Sequence, residues 1–138
     1  ALPIQGERIV AKEHADTAVD LLHQVVERGT ASAAKDTGYR IAGKTGSADK
    51  IGPDGKYLED AVFAVFASVF PADDPKYSLV VTLDNPRVNA LDEEQRTAGW
   101  TAVPVAQEIA ARAAPLLGLR PASRDTAPQD LVFTAANR

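Results

Sequence analysis

The residues best suited to chemistry stand together at Lys44-Thr45-Gly46-Ser47, inside the run Gly38 to Ala48 (GYRIAGKTGSA). Lys44 offers a compact cation and Thr45 a hydroxyl donor, a pairing that suits an anion. Gly43 and Gly46 lack side chains, so a ligand's backbone can approach the chain closely there. A second pattern, Ser32-Ala33-Ala34-Lys35, has the spacing of a Ser-x-x-Lys nucleophile motif, but it lies in a loop rich in small residues and is not assigned that role. Cysteine is absent, which excludes thiolate nucleophiles, disulfides and thiolate metal sites. His14 and His23 are too few for a histidine metal cage and are expected to face solvent. Asp73-Asp74 has the look of a carboxylate pair, yet Pro71 and Pro75 flank it and make a turn the better reading. Asp92-Glu93-Glu94 reads as a solvated stretch. No cofactor and no metal are expected.

These residues need a scaffold, and the hydrophobic pattern supplies one. From Glu13 to Arg28, Ala15, Ala18, Val19, Leu22, Val25 and Val26 fall on one helical face, and Gly29 stands where a C′ glycine is expected. Residues 29–38 read as a loop. Tyr39–Ala48 reads as a strand carrying the Lys-Thr-Gly triplet. The run DKIGPDGKYLED is rich in turn formers. Ala61–Phe70 is apolar at both parities and is expected to be a strand buried on both faces, with a third strand over Tyr77–Asp84. Short connections favour antiparallel pairing. A second helix is expected over Ala98–Leu117, with Val103, Ala106, Ile109, Ala110, Ala113, Leu116 and Leu117 on its apolar stripe, Pro104 near its first turn and Gly118 as its stop. Trp100 is expected to pack this helix on the sheet, and Tyr39 and Tyr57 are candidates to line a cleft beside the triplet. The fold class is α+β: an antiparallel meander, with two helices available to cover its two faces. Alternation sends Lys44 and Thr45 to opposite faces, so both can serve one cleft only from a twisted strand at the sheet edge.

The whole chain is consistent with this plan. Its 138 residues suit one domain, and 45% hydrophobic with 25% charged residues is ordinary globular composition. The net charge of −4 argues against nucleic acid as the main partner. No apolar run approaches the roughly 18 residues of a membrane span. The chain contains no methionine and starts at Ala1, which fits a segment cut from a larger polypeptide. Residues 1–118 form the expected domain portion. Residues 119–138, with Pro121 and Pro128, read as a tail in which Leu131-Val132-Phe133 could dock.

K-T-G is the third signature of penicillin-binding proteins and serine β-lactamases. Together with Gly29-Thr30-Ala31, GYRIAGKTGSA, Phe70-Pro71-Ala72-Asp73 and Ala102-Val103-Pro104-Val105, it makes the stretch from about Ile9 to Leu119 resemble the C-terminal part of the transpeptidase domain of class B penicillin-binding proteins, the FtsI-like type. Ser47 departs from the Thr that is commonest in the family, and keeps the hydroxyl. The resemblance implies serine acyl transfer on D-Ala-D-Ala stem peptides, with β-lactams as mimics. It implies catalytic and substrate-binding roles for Lys44, Thr45 and Ser47, with Gly46 against the substrate and the Ser47 backbone N–H in an oxyanion hole. The family's nucleophile lies far upstream of K-T-G, and no Ser-x-Asn occurs in this chain. The expected chain is therefore one wall of an active site, inactive alone. The resemblance further implies the rest of the domain as its partner, and a parent anchored at the periplasmic face of the inner membrane for which SEDS-family glycosyltransferase and divisome proteins are candidate partners. A strand that would pair beside Tyr77–Asp84 is missing, so a second chain, self-association or a strand from residues 1–12 or 121–138 is expected there. The alternatives are a β-lactamase, a D,D-carboxypeptidase, a β-lactam sensor, or a non-catalytic interaction module.

Overall fold

The computed structural model describes residues 6–121. Helix α1 spans Lys12–Arg28, a 3₁₀ segment Ser32–Thr37, strand β1 Ala42–Ile51, β2 Tyr57–Phe70, β3 Tyr77–Asp84, β4 Val88–Ala90, β5 Glu93–Gln95 and helix α2 Ala102–Leu116. The main sheet runs β1–β2–β3, fully antiparallel, so the expected meander and α+β class hold. The β3 strand matches its expected bounds. The others differ in instructive ways. Strand β1 begins only at Ala42 and continues to Ile51, and β2 starts at Tyr57, so the turn formers at 52–56 close a longer hairpin than expected. The loop at 29–38 contains the 3₁₀ segment, and the polar stretch before α2 holds a small hairpin, β4–β5.

The register explains where the core sits. Val65↔Thr82 and Phe66↔Val81 alternate faces, so Ala64, Phe66, Ser68 and Phe70 share one face with Tyr77, Leu79, Val81 and Leu83. Phe66 is fully buried and Phe70 and Val81 nearly so, in one cluster with Val26 of α1 and Val103, Ala106, Ala110 and Ala114 of α2. The opposite face contributes nothing to that cluster: Phe63 is 38% and Val80 61% exposed. The expectation that the central strand is buried on both faces is thus corrected. Both helices feed a single core, and apolar residues on the other face stand open.

Helix α2 starts at Ala102, four residues later than expected, because 98–101 turns instead, with Trp100 N–H on the Thr97 carbonyl at 3.1 Å. Pro104 then falls in the first turn, where its missing N–H costs nothing. The buried stripe is Ala102, Val103, Ala106, Ala110 and Ala114, which lets α2 approach the 3₁₀ segment and the sheet closely. Ile109, Leu116 and Leu117, placed on the stripe by sequence, are exposed. Gly118 ends the helix at φ 72°, as its position suggested. Gly29 works differently. Its φ of −118° is not left-handed; a Cβ there would come within 2.8 Å of the Val25 carbonyl oxygen. Leu119 packs on the core, while Leu131-Val132-Phe133 lies outside the described residues.

Candidate active site

Strand β1 is an edge strand, as the alternation requires, yet Lys44 and Thr45 keep to its opposite faces and do not share one cleft here. Pairings Thr45↔Phe66 and Ser47↔Ala64 put Thr45 and Ser47 on the core-bearing face, and Lys44↔Ala67 and Gly46↔Val65 put Lys44 and Gly46 on the other. The two hydroxyl residues line one open cavity of about 590 Å³, together with Thr30, Ser32, Gly99 and Trp100. Thr45 Oγ1 lies 2.7 Å from Thr30 Oγ1. Ser47 Oγ accepts the Ala98 N–H at 3.0 Å, tying the turn before α2 to β1. Lys44 is exposed, and its Nζ donates to the Thr45 carbonyl at 2.7 Å. Its ammonium therefore stays at the edge of the strand and does not line the cavity.

The two glycines differ. At Gly43 a Cβ would sit 2.6 Å from the Phe66 ring, so this glycine makes room for the core and not for a ligand. At Gly46 nothing lies within 4 Å of the Cβ position, and the strand is open to approach. Ser32 reaches the cavity rim, but Lys35 pairs with Glu27 at 3.2 Å and is engaged away from it.

Several side-chain expectations are corrected. His23 is buried, with Nδ1 2.8 Å from the Ile41 carbonyl and Nε2 accepting from Arg40 Nε at 3.3 Å. It follows Val19 by four residues and precedes Val26 by three, so the helical period itself placed it inward. Only His14 is exposed. Trp100 is 44% exposed at the cavity mouth instead of packed between helix and sheet. Tyr39 is in the core and Tyr57 is 72% exposed at the end of the hairpin, so neither lines the cavity. Asp73 and Asp74 are exposed in the turn between β2 and β3. Asp74 lies 2.9 Å from Lys76, and this hydrogen-bonded carboxylate holds the Lys76 ammonium above its ordinary pKa. Asp92, Glu93 and Glu94 are exposed, as expected, with Glu94 on Arg87 at 3.1 Å. Thr30, singled out in sequence only as part of Gly29-Thr30-Ala31, and the Ala98 N–H are the site features to which the sequence assigns no role. Among the described residues, no cluster of His, Cys, Asp and Glu could hold a metal, and no helix is long and apolar enough to cross a membrane.

A sheet edge with this triplet, a core of two helices on one face and an open face opposite define a class that the comparisons identify. The family model described as the penicillin binding protein transpeptidase domain matches residues 2–111, and the chain belongs to that family. It is similar to stage V sporulation protein D of Bacillus subtilis, 35% identical over 119 residues that cover 86% of this chain and 18% of the relative. It is also similar to the peptidoglycan D,D-transpeptidase FtsI of Escherichia coli K12, 40% identical over 86 residues that cover 62% of this chain and 14% of that one. Among solved structures it resembles penicillin binding protein 3 of Mycobacterium tuberculosis in complex with ampicillin, with a TM-score of 0.73, 33% identity, and coverage of 88% of this chain and 27% of that one. The chain thus spans less than a fifth of the length of either named relative.

Proposed function

We propose that this chain is the Lys-Thr-Gly wall of a peptidoglycan D,D-transpeptidase active site. In this reading a serine of the surrounding transpeptidase polypeptide attacks the carbonyl of the penultimate D-Ala of a stem peptide. The terminal D-Ala leaves, and the acyl group passes to an amine of a second stem peptide. Thr45 holds the substrate carboxylate, and Lys44, whose ammonium lies on the Thr45 carbonyl at the strand edge, turns round that edge to join it. Gly46 leaves the edge clear for the substrate backbone, and the Ser47 N–H meets the developing oxyanion, a contact worth roughly 3–4 kcal/mol in comparable sites. β-Lactams enter as mimics of the same dipeptide. The observation that carries the reading is the pairing of Thr45 and Ser47 hydroxyls in one cavity on an edge strand that also carries an exposed lysine. The relatives' names, FtsI and penicillin binding protein 3, support it. The reading extends to a parent anchored at the periplasmic face of the inner membrane, working beside a SEDS-family glycosyltransferase and divisome proteins.

The test compares the complete transpeptidase polypeptide with this chain alone. Lys44→Ala in the complete polypeptide should slow acylation by a fluorescent penicillin about ten- to a hundredfold, the loss of one charge-assisted hydrogen bond. Its melting temperature should not move, since Lys44 fills no core space. This chain alone should form no covalent adduct by intact mass. Parental acylation by the Lys44→Ala variant, or a stable adduct on Ser32 or Ser47 of the chain alone, refutes the reading.

A further inference from the structure

One hydroxyl from outside the triplet reaches it. Thr30 Oγ1 stands 2.7 Å from Thr45 Oγ1, across from the end of α1. In such a contact one hydroxyl donates and the other accepts. If Thr45 donated to Thr30, its only proton would be consumed and it would show an incoming anion nothing but lone pairs. If Thr30 donates, the Thr45 proton is free to be given to that anion.

The backbone around Thr30 is held from both sides. The Gly29 N–H donates to the Val25 carbonyl at 3.0 Å, and the fully buried Ala31 closes on the same carbonyl. From the other direction the turn before α2 lies against Thr30 so closely that a Cβ on Gly99 would come 2.7 Å from the Thr30 carbonyl oxygen. That turn is in turn fixed to β1 through Ser47 and Ala98. Thr30 is thus a hydroxyl on a fixed backbone, aimed at one atom.

We propose that Thr30 is a positioning residue for anion recognition: it donates to Thr45 Oγ1 and so commits the Thr45 O–H to the carboxylate of the ligand. The hydroxyl chain should strengthen the second bond, because a hydroxyl that accepts becomes a better donor. The inference rests on the carboxylate-binding reading of Lys44 and Thr45 given above.

The experiment uses the complete transpeptidase polypeptide and two probes, benzylpenicillin and its neutral methyl ester, with the acylation rate constant read for each. Thr30→Val should lower the acid-to-ester rate ratio about three- to tenfold, the scale of one neutral hydrogen bond. Thr30→Ser should restore the ratio. In a Thr45→Val background, Thr30→Val should have no further effect, which a merely structural role would not produce. Gly99→Ala, which pushes on the Thr30 carbonyl without touching its hydroxyl, should lower the ratio in the same direction and serves if the valine variant fails to fold. Equal slowing of acid and ester by Thr30→Val, or an undiminished effect in the Thr45→Val background, overturns the proposal while leaving the Lys-Thr-Gly reading intact. A Thr45→Val variant with a parental ratio overturns both, and marks the failure as that of the underlying site.

Discussion

Replacing Ser47 with Ala removes the single side-chain hydrogen bond that fastens the turn before α2 to strand β1. The acceptor lost is the one facing the Ala98 N–H at 3.0 Å. Ala98 is only 1% exposed, but it lines the open cavity with Ser47, so the freed donor is within partial reach of water and the cost falls toward the low end of the range for a buried donor. A buried N–H left without a partner costs about 1–3 kcal/mol. For a domain of this size that lowers the melting temperature by roughly 3–10 °C. The turn also carries Trp100, the sole tryptophan, 44% exposed at the cavity mouth. Its fluorescence therefore reads the turn directly, and the Ser47→Ala chain should emit further to the red at temperatures where it is still folded. Ser47→Thr keeps the oxygen and should restore both the melting temperature and the emission. A Ser47→Ala chain with parental melting and parental emission refutes the anchoring role. So does a chain that melts early with its Trp100 emission unchanged, since the loss would then lie elsewhere than in the turn.

Phe66→Ala should cost about 3–5 kcal/mol in urea unfolding, because the ring is fully buried where both helices meet the sheet. In its neutral form the His23 ring should be the Nδ1–H tautomer in ¹⁵N NMR, since the Ile41 carbonyl can only accept and the Arg40 guanidinium only donate; a neutral ring with an Nε2–H signal refutes that network. The isolated chain should self-associate with rising concentration in sedimentation velocity, through the open face and the outer edge of β3, which has no strand beside it among the described residues. Val80→Lys on that face should weaken the association and leave unfolding within about 0.5 kcal/mol; a variant that associates like the parent refutes the assignment of the surface.

The parts of the fold legible in the sequence are those where one short-range rule governs. Strand β3 alternates cleanly between half-buried and exposed positions and is bounded by turn formers, so both ends could be read. Strand β2 is less legible. A run from Ala61 to Phe70 that is apolar except for Ser68 states that both faces avoid water, but not which neighbour covers each; here the core takes one face only. The misplaced stripe of α2 has a related cause. Hydropathy favours Ile109, Leu116 and Leu117, whereas close approach to the 3₁₀ segment favours small residues, and the alanines at 102, 106, 110 and 114 take the interior.

At the site, the residue types were legible and their mutual service was not. Lys44, Thr45 and Ser47 could be singled out because they are consecutive or nearly so, and an alternating strand fixes which of them share a face. Thr30 and Ala98 reach the same strand from loops far away in sequence, and only tertiary packing brings them there. Their effect changes what the triplet residues can do. The resemblance points to the backbone N–H of Ser47, yet its side-chain oxygen has a separate task, accepting from Ala98. Thr45 reads as a donor, yet whether it can donate depends on the proton of Thr30. A motif therefore names the groups that meet a ligand, while the direction of each proton is set by neighbours outside it. Thr30 stands in the Gly29-Thr30-Ala31 run that marks the resemblance, but nothing in that run tells that its hydroxyl meets Thr45, and the Ala98 amide is a backbone group that any residue would supply.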